Sequence, residues 1–194
     1  MTTPTTEPLP GGSALPLGSA APDFDLPTVA GGRIRLADVD TELFVYVQGC
    51  NHCPVVLAYL DRLQELSRAY AGRATFVMVN ANDAERYPDD SFEAMRTFAD
   101  AHDIGFTYAW DADQQVALAY RTVRTPEVLV FDRERELRYH GRVDDAKEPS
   151  EVVRHDLREA LDQLLAGRPV EVPQTWAVGC TVKWTPAHLE ARNA

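Results

Sequence analysis

The segment Leu43–Ala58, LFVYVQGCNHCPVVLA, restricts the possible folds more than any other part of the chain. An apolar, β-branched and aromatic run ends at Gln48-Gly49. Two cysteines follow with two residues between them, Cys50-Asn51-His52-Cys53, and Pro54 then opens a stretch of helical periodicity. The run reads as a buried strand, and proline is well placed in a helix's first turn, where its missing N–H costs nothing. A strand that delivers a Cys-x-x-Cys pair to a helix start sets thiols beside unpaired N–H groups and positive partial charge. Both stabilise a thiolate.

The rest of the chain supplies the elements such a strand needs around it. From Pro54 the apolar positions Val56, Leu57, Leu60, Leu63, Leu66 and Tyr70 recur at steps of three and four, the stripe of an amphipathic helix, and Gly72 ends it. Thr75–Val79 is short and almost wholly apolar, as expected of a parallel strand covered on both faces. Strand, helix and strand make a βαβ unit with a right-handed crossover. After a polar loop, NANDAERYPDD, Ser91 caps a second helix with Phe92, Met95, Phe98 and Ala99 on one face. Phe106–Trp110 is a short strand and Gln114–Tyr120 a short helix. Glu127–Phe131 is a central strand, and Leu137–Arg142 pairs antiparallel to it. Ser150 is expected to cap a last helix whose stripe is Val153, Leu157, Leu161, Leu164 and Leu165. Before the first central strand, the alternation around Phe24 and Leu26 and the turn at Gly31-Gly32 predict a small hairpin. The domain reading is a flexible tail over residues 1–21, a body over 22–168 and a C-terminal extension over 169–194. The extension is expected to pack on the body, because Trp176 and Trp184 would otherwise leave large apolar surface in water.

Composition excludes several classes of function. The 194-residue chain carries 30 acidic and 19 basic residues, a net charge of −11, which opposes binding to nucleic-acid phosphates or to an anionic membrane. No run approaches the ~18 apolar residues of a membrane span, and the N-terminus lacks the basic and apolar regions of an export signal. The expected compartment is the cytoplasm. Three cysteines are too few for a disulfide framework, so the close pair points to redox or metal chemistry.

The order strand, CxxC, helix, strand, helix, then Thr125-Pro126 leading into a strand pair and a closing helix resembles the thioredoxin fold. That implies an α/β architecture with a central mixed sheet flanked by helices. The N-terminal APDFDL resembles the redoxin branch, the alkyl hydroperoxide reductase and thiol-specific antioxidant superfamily. GCNHCPVV, NANDAERYPDDSFEAM, TPEVLVFD and GCTVKW are more closely similar to a bacterial group of thioredoxin-like, redoxin-domain proteins, over about residues 20–186. Two departures stand out. Gly49 occupies the place where thioredoxin-type reductases usually carry Trp. Cys50 occupies the Thr position of the peroxidatic Thr-x-x-Cys, and Pro126 falls where peroxidatic members carry an Arg.

Disulfide exchange needs an exposed, low-pKa attacking thiolate, and the resemblance implies that Cys50 is that thiolate, that Cys53 resolves, and that Thr125-Pro126 in the cis form presents backbone to a bound disulfide. His52, before the second cysteine, resembles the dipeptide of oxidising members, and donation from it to Cys50 would make the couple more oxidising. Glu127 is a candidate proton shuttle to the resolving cysteine, or a strand-edge residue without a role. Cys180, with Lys183 lowering its pKa, is a candidate extra thiol, or a buried small hydrophobe. The leading function is thiol–disulfide exchange without a cofactor, on a protein or small-molecule disulfide, with a thiol reductant as partner. The alternative is a thiol peroxidase with Cys53 peroxidatic. A non-catalytic metal module is the third class, either a zinc half-site completed from Cys180, His140, His155 or His188, or a copper-handling site. Asp132, Arg124, the pair Asp144-Asp145 and the loop Tyr87–Asp90 complete the candidates. Their plain readings are a strand end, a surface arginine, a turn and a loop.

Overall fold

The structure is a computed structural model and describes residues 14–193. The first expected element is present as the hairpin β1 (Asp25–Pro27) and β2 (Arg33–Arg35), paired antiparallel. Two parallel strands come next, β3 (Leu43–Gly49) and β4 (Ala74–Asn80), joined through helix α1 (Pro54–Ala69). Helix α2 (Phe92–Ala101) leads to β5 (Thr107–Trp110), which is parallel to β4, and then to the short helix α3 (Gln115–Ala119). The chain continues into the two-residue strand β6 (Arg124–Thr125) and the antiparallel pair β7 (Glu127–Phe131) and β8 (Leu137–Gly141). Helix α4 (Asp156–Leu165), strand β9 (Cys180–Thr181) and helix α5 (Pro186–Asn193) close it.

The central sheet runs β5-β4-β3-β7-β8, so the strand that carries the CxxC is its middle member. Alternation along β3 divides the core. Leu43, Val45 and Val47 face a cluster containing Val56, Tyr59, Leu63 and Leu66 of α1 and Leu157, Ala160 and Leu161 of α4. Phe44 and Tyr46 face the opposite layer with Phe24, Leu26, Val116 and Tyr120. Because β3 is buried on both faces, its sequence is apolar at nearly every position. No helix among the described residues is long and apolar enough to cross a membrane.

Three expectations need correcting. The tail assigned to residues 1–21 is packed over its later part: Leu15 is buried, and residues 18–21 hydrogen-bond to the turn before β8 and to its first residue (Ala21 N to Arg135 O and Gly18 N to Leu137 O, both 2.8 Å). Residues 1–13 of that stretch lie outside the described residues. Edge strand β8 offers unpaired backbone groups, and this segment satisfies them. The last helix starts at Asp156, with Ser150 in a separate 3-10 turn and Val153 86% exposed. Residues 145–154 instead close a loop, where Asp145 N–H donates to Arg154 O and Asp145 Oδ1 accepts from Val153 N–H. Within α1, Leu57 is 43% exposed and Tyr59 takes the buried place.

Candidate active site

Gly49 ends β3 with no room for a side chain. A Cβ there would lie 2.6 Å from Met78 Sδ, which explains why glycine rather than a bulky residue precedes Cys50. Beyond it the chain turns, and Cys53 becomes the N-cap of α1 with Pro54 in the first turn. Opposite, the Thr125–Pro126 peptide bond is cis. The Cys50 thiol donates to Thr125 Oγ1 at 3.7 Å, and Cys53 Sγ lies 3.1 Å from the Thr125 carbonyl oxygen. Both sulfurs of the pair therefore converge on one residue of the proline segment.

Neither sulfur is open to solvent, although an exposed Cys50 is what the sequence leads one to expect. Cys50 is 1% exposed and Cys53 0%, whereas Cys180 is half-buried. The C-terminal extension packs on this segment as expected. β9 pairs antiparallel with β6, placing Cys180 opposite Thr125, and Val182 N–H donates to Val123 O at 3.1 Å. Gly179 sits so close that a Cβ on it would fall 2.0 Å from the Thr125 carbonyl oxygen. Trp184 is buried with Val182, Ala81 and Ala117, but Trp176 stays 40% exposed, contrary to the expectation that both tryptophans are covered.

The two thiols of the pair have opposite acidities. A hydrogen bond from Cys50 is the main cause that lowers the Cys53 pKa to about 4. Burial opposes it, while Thr125, Cys180 and the Val56 N–H add smaller stabilisation. The helix N-terminus acts through that weak Val56 contribution, since no side-chain hydrogen bond caps α1. Cys50 is pushed well above the thiol range, first by hydrogen bonding to Cys53, then by burial and by the Asp90 carboxylate. The shifts favour ionising Cys53 before Cys50, the reverse of an acidic Cys50, and a protonated Cys53 donates to the Thr125 carbonyl oxygen. Cys180 is also raised, by burial and by Cys53. Lys183 and Arg124 pull it down without prevailing, so the expected acidification by Lys183 is outweighed.

Asp90 is a site residue that the sequence does not single out. It is fully buried, and its carboxylate accepts from Asn51 N–H (2.8 Å), Asn80 Nδ2 (3.2 Å) and Asn82 Nδ2 (2.7 Å). His52 Nδ1 lies 2.5 Å from Asp90 Oδ2, and its ring stacks on Tyr87, so His52 is engaged by Asp90 rather than committed to Cys50. The available signal is two asparagines flanking Ala81, just past a central strand, with Asp89-Asp90 soon after. Amides and a carboxylate at a sheet's C-terminal end can satisfy one another only when buried together. The loop Tyr87–Asp90 touches the Cys-x-x-Cys segment through Asp90 and Tyr87, and Lys183 Nζ lies over the Tyr87 ring at 5.7 Å.

Cys50 Sγ, a His52 ring nitrogen and an Asp90 oxygen lie within 4.8 Å of one another, the one such group among the described residues able to hold a metal. The histidines considered for a zinc half-site are not brought to it. His140 Nε2 is 2.6 Å from Glu127 Oε1, His155 Nδ1 is 3.0 Å from Asp144, and His188 Nδ1 is 2.8 Å from Gln114 Oε1. Glu127 itself is buried, and its other oxygen accepts from the N–H groups of Val123 (2.7 Å) and Arg124 (2.8 Å). These partners brace the loop that carries Thr125; none of them is a sulfur. Arg124 Nη1 donates to Gly179 O at 3.4 Å, Asp144 pairs with Arg62 at 2.6 Å, and Asp132 ends β7 by accepting from Glu136 N–H.

Comparison with known proteins agrees with this architecture. An uncharacterized conserved protein from Geobacillus kaustophilus is 41% identical, with a TM-score of 0.83 over 88% of this chain and 93% of that one. A hypothetical protein from Sinorhizobium meliloti is 36% identical, with a TM-score of 0.84 over 90% and 97%. The thioredoxin-like protein YneN of Bacillus subtilis is 26% identical over 115 residues, 59% of this chain and 65% of that relative, so the chain spans just under two thirds of its length. More distant structures share the fold alone: a Mycobacterium tuberculosis disulfide oxidoreductase (18% identical, TM-score 0.55, 72% of this chain and 94% of that one) and a peroxidoxin from the same organism (19%, 0.57, 78% and 97%). A family model described as the AhpC/TSA family matches residues 17–140, more than half of the chain. The chain has a thioredoxin fold and belongs to the AhpC/TSA family, a thioredoxin-like redoxin.

Proposed function

We propose that this protein is a thiol–disulfide oxidoreductase that passes disulfides through Cys50 and Cys53, needs no cofactor and draws its electrons from a thiol reductant. The observation that carries this reading is the convergence of the two sulfurs on Thr125, and Cys50 is the main influence on the acidity of Cys53. That coupling lets either sulfur act as nucleophile while the other takes or returns a proton. In the forward step Cys50 Sγ attacks a disulfide R–S–S–R′, and its proton passes to the Cys53 thiolate. The S–S bond breaks and R′S⁻ leaves, taking up the proton from Cys53. Cys53 then attacks Cys50 Sγ and expels RS⁻, so the substrate is reduced by two electrons and Cys50–Cys53 is oxidised to a disulfide. Reaching Cys50 requires the segment over Thr125 to shift, because the sulfur is enclosed. The compartment that suits such a reduced pair is the cytoplasm.

The acidity of Cys53 favours a second reading, a thiol peroxidase in which that thiolate attacks a peroxide. Pro126 stands where peroxidatic members carry an arginine, which weighs against this reading. One set of assays separates the two. With 2-hydroxyethyl disulfide as substrate, Cys50→Ser and Cys53→Ser each lower turnover by about a hundredfold or more. Retained activity in Cys50→Ser rejects the exchange reading. Hydrogen peroxide consumed faster than by a free thiol, with Cys53 trapped as a sulfenic acid, establishes the peroxidase instead.

A further inference from the structure

We propose that Cys180 is a third redox residue, which carries the disulfide between the enclosed Cys50–Cys53 pair and thiols in solvent. The inference rests on the exchange reading above and adds the route by which the pair is reached. Contacts to Thr125 bring the three cysteines around one residue. Cys50 donates to Thr125 Oγ1 and Cys53 touches the Thr125 carbonyl oxygen. Cys180 is the strand partner of Thr125, and its carbonyl accepts from Thr125 Oγ1 at 3.5 Å. Cys180 packs against the buried cluster that holds Cys50 and Cys53, and Cys53 and Cys180 each shift the other's acidity. Of the three cysteines only Cys180 has appreciable exposure.

The extension is also built to hold Cys180 there. Gly179 admits the Thr125 carbonyl where any Cβ would clash, and Arg124 binds the Gly179 oxygen. On the other side Asp83 N–H donates to Lys183 O at 2.8 Å, and Lys183 N–H to Asn82 Oδ1 at 2.8 Å. A merely buried small residue would need none of this; a thiol that must meet one particular sulfur does.

The step is an internal exchange and needs no oxidant. Cys180 Sγ attacks Cys53 Sγ of the Cys50–Cys53 disulfide, and the S–S bond to Cys50 breaks. Cys50 leaves with the electron pair and takes up the proton that Cys180 gives up, so a Cys53–Cys180 disulfide forms with no net oxidation. A solvent thiol such as glutathione then attacks the half-buried Cys180 Sγ. Cys53 leaves as its thiolate, a good leaving group given its low pKa, and a second thiol resolves the mixed disulfide.

The test oxidises the full chain with diamide and maps its disulfides by mass spectrometry, then tracks their reduction by glutathione. In Cys50→Ser, with the extension left native, a Cys53–Cys180 disulfide is expected. In Cys180→Ser, starting from the Cys50–Cys53 disulfide, reduction is expected to slow by about tenfold or more. Absence of the Cys53–Cys180 link in Cys50→Ser, or reduction of Cys180→Ser at the wild-type rate, overturns the relay and leaves the Cys50–Cys53 couple standing. If Cys180→Ser does not fold, the Cys50→Ser map decides alone. Failure of the wild type to form any Cys50–Cys53 disulfide with diamide overturns the underlying exchange reading instead.

Discussion

Cys53 owes its acidity chiefly to the Cys50 thiol beside it, and that pairing fixes how the protein responds to pH. An unfolded chain keeps both thiol protons up to about pH 8.5. The folded reduced pair gives one up near pH 4 and, because Cys50 is raised, retains the other far above its ordinary range. Between those limits the unfolded state binds one more proton than the folded state, so stability rises with pH. Above about pH 9 the unfolded chain has lost both protons while the folded pair keeps one, and the slope reverses. Reduced wild type should therefore gain stability over Cys53→Ser in urea unfolding from about pH 5 to about pH 8 and keep that advantage at higher pH, because Cys50, raised by burial and by Asp90 in both proteins, cancels from the comparison. A difference that does not change with pH would mean that both thiols titrate as isolated groups. At this scale the sequence was legible where a residue's neighbours are adjacent in the chain, as for the Cys-x-x-Cys itself. It was not legible where distant segments supply them. Glu127 reads as a plausible proton carrier until His140 and two loop N–H groups claim its oxygens. Asp90 reads as a loop residue until three asparagines converge on it.

Among the elements, β9 matters most for the site, although it is only two residues long and pairs with a strand equally short. Such a ribbon has too few ladder bonds to hold by itself. It holds because Gly179 allows the backbones to close and because Val182 and Trp184, just beyond it, are anchored in a buried cluster. Gly179→Ala places a methyl group 2.0 Å from a backbone oxygen that cannot swing away. We expect it to cost about 1–3 kcal/mol in urea unfolding, the range for overpacking, and to speed iodoacetamide labelling of Cys50 and Cys53. Unchanged labelling would show that the extension does not control access to the pair. The long amphipathic elements were readable because their stripes are periodic: α1 and α2 fall where the spacing places them, and Ser91 caps α2 through the Ala94 N–H. The start of α4 was not, because Val153 continues the apolar spacing but points into solvent, while Asp145 captures the backbone ahead of the helix. No periodicity marks β6 and β9, since two residues cannot show a period.

Taken as a whole, the molecule protects both edges of its sheet. Residues 18–21 and 173–175 lie along β8, and Thr28-Val29 bonds to β5. The apolar runs and their order were enough to read the central sheet, because a doubly covered strand leaves few alternatives. The edge coverings are short polar segments, invisible until the edges they satisfy are known. How fast a reagent reaches the thiols then depends on the charge around them. The chain carries a net charge of −11, while Lys183 and Arg124 lie close to Cys180. At low ionic strength the screening length exceeds the distance across the site, so the whole acidic molecule acts on an approaching reagent. Near physiological salt it shrinks to about 8 Å, and the two local cations count for relatively more. A dianionic aromatic disulfide such as 5,5′-dithiobis(2-nitrobenzoate) should therefore react more slowly than the dicationic cystamine in dilute buffer, with the gap narrowing steadily as salt is added. Stopped-flow rates across a salt series measure this directly. Faster reaction of the dianion in dilute buffer would mean that Lys183 and Arg124 dominate the field around the thiols, and that anionic thiol compounds are drawn to Cys180 despite the acidity of the rest of the surface.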